Sequence, residues 1–247
     1  MLTQAARSRN RLRKGREVEM SYVKTIVCLA NSYKPPQGRC IAGREVLAHG
    51  YGGWIRPVST RPTAELQFSE YRYENNASPK ILDIVDVPLL NADPRHHQTE
   101  NHVIDVGLWV KRGELPWDAL AEELRDRPGT LWINSEHTNA GHYDCIHQVE
   151  AAKIHDSLVL IRPEHFIVEI GRNYWTGRKS YRGKFEYNGT HYNLSLTDPV
   201  ARGAFATKQE GDYPLNDVYL CVSLTEPYEH DDRCHKLVAA IISNPPL

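Results

Sequence analysis

Arg172-Asn173-Tyr174-Trp175-Thr176-Gly177-Arg178-Lys179-Ser180-Tyr181-Arg182-Gly183-Lys184-Phe185-Glu186-Tyr187-Asn188-Gly189-Thr190-His191-Tyr192-Asn193-Leu194 places Asn188-Gly189 between two alternating runs. A type I′ turn needs positive φ at both central residues, and Asn-Gly satisfies it better than almost any other pair. The segment therefore reads as a β-hairpin in which Tyr187 faces Thr190, Glu186 faces His191, Phe185 faces Tyr192 and Lys184 faces Asn193. Strand alternation then puts Phe185, Tyr187, Tyr192 and Leu194 on one face, and Arg182, Lys184, Glu186, His191 and Asn193 on the other. The aromatic face suits a core.

The same stretch carries a chemical signal. Arg172, Arg178, Lys179, Arg182 and Lys184 arrive with no acidic residue before Glu186, and aromatic residues are interleaved among them. Cations neutralise phosphates and aromatic faces stack bases, so this mixture fits a groove for single-stranded nucleic acid. Tyr174, Trp175, Arg178 and Lys179, in the loop before the hairpin, are better placed for ligand contact than the strand aromatics.

Outward from the hairpin, short strand-like runs recur. They cover Tyr22 to Ala30, Arg39 to Val46, Trp54 to Val58, Ile81 to Leu90, Ser157 to Arg162, His165 to Ile170, Val218 to Leu224 and His235 to Ser243. Turn residues such as Pro35-Pro36-Gln37-Gly38 separate them. Trp117, Leu120, Ala121 and Leu124 fall at helical spacing behind Pro116, which predicts a helix over 116–126 closed by Pro128-Gly129. Asp198-Pro199 predicts a cap and first-turn proline for a short helix over 200–207. The polar segment Asn134 to Tyr143 reads as a linker. The fold class is thus mainly β, two small OB-like barrels in tandem with one or two short helices. Residues 22–135 would form the first barrel and 136–247 the second.

Residues 1–21 are basic, with Arg7, Arg9, Arg11, Arg13, Lys14 and Arg16, and read as a solvated, disordered tail able to reach a phosphate backbone. Met20, just before the first strand-like run, is a candidate alternative start. The net charge of −1 means that nucleic-acid affinity must come from local patches. Thirteen tyrosines against four phenylalanines favour aromatics that sit half wet. Five widely spaced cysteines give no disulfide framework, and Cys28 and Cys221 lie inside apolar runs as small hydrophobes. With no leader or membrane span in the sequence, a cytoplasmic location is expected.

Several stretches together resemble a known family. They are Cys28-Leu29-Ala30-Asn31-Ser32, Gly38-Arg39-Cys40-Ile41-Ala42-Gly43, Gly53-Trp54-Ile55-Arg56-Pro57-Val58-Ser59, Gln98-Thr99-Glu100-Asn101-His102, Leu194-Ser195-Leu196-Thr197-Asp198-Pro199 and the closing run His235 to Ile242. The chain resembles the bacterial dual OB-containing domain family from about residue 22 to 243. The resemblance implies two OB barrels and an expectation of nucleic-acid binding, with no reaction attached.

OB barrels bind oligonucleotides across the face of strands 2 and 3, which brings in Arg39, Trp54 and Arg56. Arg56 requires either a surface position or a carboxylate such as Glu45 or Glu100, and Trp54 suits a core equally well. His96 to Asp105 concentrates polar groups without matching a zinc or nuclease pattern, and Glu100 and Asn101 fit the tying of a loop. His137, His142, Cys145 and His147 lack the paired knuckles of structural zinc. No catalytic residue, metal or cofactor is expected. The reading is a non-catalytic protein for single-stranded or distorted DNA or RNA, with a protein–protein adaptor and a metal-dependent nucleic-acid enzyme as alternatives.

Overall fold

The computed structural model describes residues 21–120, 124–174 and 176–247. The basic tail, Trp175 and the middle of the 116–126 segment lie outside the described residues. The first sheet contains β1 (Tyr22–Lys34), β2 (Gly38–Val46), β3 (Tyr51–Val58), β4 (Asp83–Ala92), β5 (Asn101–Ile104) and β6 (Val110–Glu114). Its order is β1-β2-β3-β5-β4-β6, and β1 also pairs with β4, so five strands close into a barrel. The residues of β1 that pair with β4 run from Tyr22 to Val27, and those that pair with β2 from Ile26 to Lys34. The strand must bend to do both, and its register shifts between Cys28 and Ala30. Gly43 faces Cys28 at this bend, where a Cβ would lie 2.0 Å from the Val27 carbonyl oxygen. Only glycine allows that approach.

The second sheet contains β8 (Leu158–Ile161), β9 (His165–Arg172), β10 (Lys179–Tyr187), β11 (Thr190–Leu196), β12 (Gly211–Leu215), β13 (Val218–Leu224) and β14 (Arg233–Ser243), and β7 (Cys145–His147) pairs with β14. β8 pairs with β13 and β9 with β10. Pro163 lies between β8 and β9, and they act as the two halves of one bent strand. The path β8/β9-β10-β11-β14-β13 therefore returns on itself in the order of the first barrel. The parallel pair β11–β14 matches the parallel pair β3–β5. The hairpin has the register read from the sequence, with φ of +48° at Asn188 and +71° at Gly189. Phe185, Tyr187, Tyr192 and Leu194 are all buried.

Three short α-helices accompany the strands among the described residues: α1 (Phe68–Tyr71), α2 (Gln148–Ala151) and α3 (Pro199–Ala204). Asp198 caps α3, accepting from the backbone N–H groups of Val200 and Ala201. The described start of the 116–126 segment is a 3₁₀ turn, Trp117–Ala119, and Leu120 and Leu124 are buried as helical spacing requires.

The two barrels pack against each other. Ile26 and Cys28 enter the core of the first barrel, whereas Val27 and Leu29 join Leu158, Leu160, Tyr219, Cys221 and Ile242 in a cluster shared by both barrels. Leu115, Leu120 and Leu124 of the connecting chain complete that cluster. Strands at this seam are covered on both faces, which explains the unbroken apolar runs at Ile26 to Ala30 and Val218 to Val222. No helix of the described residues is long and apolar enough to cross a membrane.

Candidate nucleic-acid interface

The seam covers the usual OB ligand face of the first barrel. Ala42 of β2 belongs to the shared cluster, and Val46, Tyr51 and Trp54 pack against it. Trp54 Nε1 donates to Asp126 Oδ2 at 3.2 Å, and Arg44 Nη1 reaches Asp126 Oδ1 at 2.9 Å. Arg56, 1 % exposed, lies inside the seam. Its Nη2 stands 3.0 Å from Glu100 Oε1 and donates to Ser157 Oγ at 2.8 Å. Trp54 and Arg56 are thus committed to internal contacts, and a surface ligand meets neither from the seam side.

The polar cluster around His97 forms part of the same seam. His97 Nε2 is 2.9 Å from the Thr225 carbonyl oxygen, Gln98 Nε2 donates to the Leu224 carbonyl, and Thr99 Oγ1 donates to that of His155. Burial holds the His97 imidazole below its ordinary pKa. These residues strap the first barrel to the second. His147 is likewise occupied, its Nδ1 accepting from Val149 N–H.

The corresponding face of the second barrel is covered by its own chain at Arg182 and Asn193, while the His191 side chain is 75 % exposed. Arg182 Nη2 donates to Asp144 Oδ2 at 2.9 Å and to the Asn193 carbonyl, and its Nε donates to Asn193 Oδ1. Burial raises the Asp144 pKa, but hydrogen bonds from Thr138 and Arg182 outweigh it and hold the carboxyl below its usual range. His142 bridges to Asn193 through the backbone, laying residues 138–144 over β10 and β11. Lys184 pairs with Glu169 at 2.6 Å and with Asp212.

What remains is one end of the pair, where the β1–β2 loop and the β9–β10 loop both meet α3. Tyr33 N–H donates to the Thr197 carbonyl at 2.9 Å, and Lys34 Nζ reaches Glu226 Oε1 of the second barrel at 2.7 Å. Lys179 Nζ donates to the carbonyls of Ala206 and Lys208, tying the β9–β10 loop to the chain after α3. Arg172 pairs with Glu210 at 2.5 Å, Arg178 is exposed, and Tyr174 is 88 % exposed. Between the loops lies a cleft of about 430 Å³ lined by Tyr33, Tyr181, Pro199, Arg202, Gly203 and Ala206. Arg39 Cζ sits 4.3 Å from the Tyr33 ring centroid, and Arg202 Cζ sits 5.3 Å from Tyr33 and 5.2 Å from Tyr181.

The fold thus brings Arg39, Arg172, Tyr174, Arg178 and Lys179 to one end, while Trp54, Arg56, Arg182 and Lys184 lie elsewhere. Tyr33 and Arg202 carried no sequence signal, because their partnership exists only across the barrel junction. Tyr181 stood inside the basic-aromatic stretch, and its position two residues from Lys179 on the same strand face was the available clue.

No curated protein matches this chain. The family model of the dual OB-containing domain matches residues 24–241. That span takes in both barrels and the seam between them, and the chain belongs to the dual OB-containing domain family.

Proposed function

We propose that this protein binds single-stranded nucleic acid along the end of the barrel pair where both first-loop segments meet α3. The observation that carries the reading is the convergence of Arg39, Arg178, Lys179 and Arg202 with Tyr33, Tyr174 and Tyr181 on one surface built from both barrels. Cations supply phosphate attraction and exposed rings supply sequence-tolerant stacking. The strand would cross the junction rather than run over the strand 2–3 faces, which the chain itself covers at Trp54 and Arg56 on the seam side and in part at Arg182 and Asn193.

A protein–protein adaptor is the second reading. It is favoured by the pairing of Arg172, Lys184 and Lys34 with carboxylates, which removes part of the basic field. Fluorescence anisotropy of labelled single-stranded and duplex oligonucleotides at low and moderate salt separates the two. The first reading expects salt-sensitive binding by residues 21–247 and by the full chain, weakened at least tenfold in Arg178→Glu/Arg202→Glu with a shallower salt slope. Loss of all binding on removal of residues 1–20, or no binding by the full chain, would overturn it in favour of the adaptor.

A further inference from the structure

The cleft at the barrel junction has features that a general electrostatic surface does not need. We infer that it is a subsite for one unpaired nucleotide of the bound strand, with the base stacked on the tyrosine faces and the adjoining phosphate held by Arg39 and Arg202. This inference rests on the nucleic-acid reading above.

Three observations support it. The first is the stacking geometry. The Arg202 guanidinium, a planar group, already lies within 5.3 Å of both the Tyr33 and Tyr181 ring centroids. Tyr33 is 47 % exposed, so its ring is only partly used by the fold. A base offers the same flat π surface, and the long Arg202 side chain can swing aside toward a phosphate.

The second is the set of missing anions. Among the described residues, neither Arg39 nor Arg202 forms an ion pair, whereas Lys34, Arg172 and Lys184 do. Arg39 Nη1 is buried and has no hydrogen-bond acceptor. The carboxylate that feels Arg39 is Asp198, whose Oδ1 accepts from Val200 and Ala201 N–H and whose Oδ2 accepts from Ile241 N–H. Asp198 is thus engaged with the backbone. Arg39, with Cζ 4.3 Å from the Tyr33 ring, therefore adds a cation beside the cleft that no carboxylate pairs, and its charge would favour a phosphate there.

The third is space. The cleft volume of about 430 Å³ falls within the range of small-ligand sites. Beside Arg202, the wall formed by α3 and the residues after it carries only Pro199, Gly203 and Ala206. A Cβ at Gly203 would meet no atom within 4 Å. A paired base, with both faces stacked in a duplex, cannot present itself to the rings, so the subsite selects unpaired nucleotides.

Gly203 also supplies the decisive variant. Gly203→Leu adds bulk where only open space exists, on a helix that leucine favours, and so fills the cleft without removing any contact. Short single strands carrying one aminopurine, a base whose fluorescence falls on stacking, are titrated into the wild-type chain, Gly203→Leu and Tyr33→Ala/Tyr181→Ala. The subsite requires quenching at one or more aminopurine positions with wild type, lost in both variants, together with roughly tenfold or greater weakening. If wild type binds with salt sensitivity but both variants retain its affinity and quenching, the subsite is refuted and the broader reading survives. If wild type binds no strand at low salt, the broader reading fails and the subsite with it.

Discussion

Replacing Glu100 by glutamine should destabilise the whole barrel pair, and more than replacing its partner Arg56 does. The two side chains are 6 % and 2 % exposed, with Oε1 and Nη2 3.0 Å apart. At an effective dielectric constant of about 20, that separation corresponds to roughly 5 kcal/mol of attraction, much of it offset by removing both ions from water. Glu100→Gln leaves a guanidinium buried against Asn101, Ser157 and Ser223, neutral groups that cannot balance its charge. A guanidinium does not give up its proton, whereas a stranded carboxyl can take one. Arg56 Nε also lacks a hydrogen-bond partner already, so the fold has little reserve there. The expected loss is about 3–5 kcal/mol for Glu100→Gln and less for Arg56→Met. The double variant removes both charges and should recover at least ~2 kcal/mol relative to the sum of the single changes. Equilibrium urea unfolding followed by far-ultraviolet circular dichroism measures all three. A loss under about 1 kcal/mol for Glu100→Gln, or strict additivity in the double variant, would refute the reasoning.

Lys236 is 0 % exposed, donates to the Ile133 carbonyl and Asn134 Oδ1, and is pushed down by burial to about 7. Between pH 7 and 10.5 the unfolded lysine keeps a proton that the folded one releases, so its contribution makes stability rise with pH across that window and stay flat below it. Wild type and Lys236→Met should therefore differ in their pH–stability slopes there, and parallel slopes would contradict the burial argument. Gly43→Ala should cost at least ~2 kcal/mol, because its Cβ would collide with backbone at the β1 bend. Gly53→Ala, with nothing within 4 Å, is the matched control in thermal melts, and equal midpoints for the two variants would count against the close approach.

The strand reading succeeded where the information is local. Asn188-Gly189 specifies its own turn, and a two-residue turn fixes every cross-strand pair that follows. Asp198-Pro199 likewise specified the start of α3. Strands β5, β6, β7 and β12 were missed. They are short, and β5 exists by pairing with β3 and β4, residues far away in the chain. Glu100 was read correctly as a possible partner for Arg56, since a buried guanidinium demands a carboxylate. That their meeting place is the seam with the second barrel was not legible.

Alternation and turn chemistry therefore determined the strands, the hairpin register and, with the family resemblance, the two-barrel plan, because each depends on neighbours in the chain. Which faces those barrels leave open was decided by tertiary structure alone. Alternation says that a strand has two faces, but it does not say what covers them. Here the second barrel covers one strand 2–3 face and residues 138–144 cover the Arg182–Asn193 part of the other. The cleft of Tyr33, Tyr181 and Arg202 joins residues from three elements that only the packing of one barrel on the other brings within stacking distance.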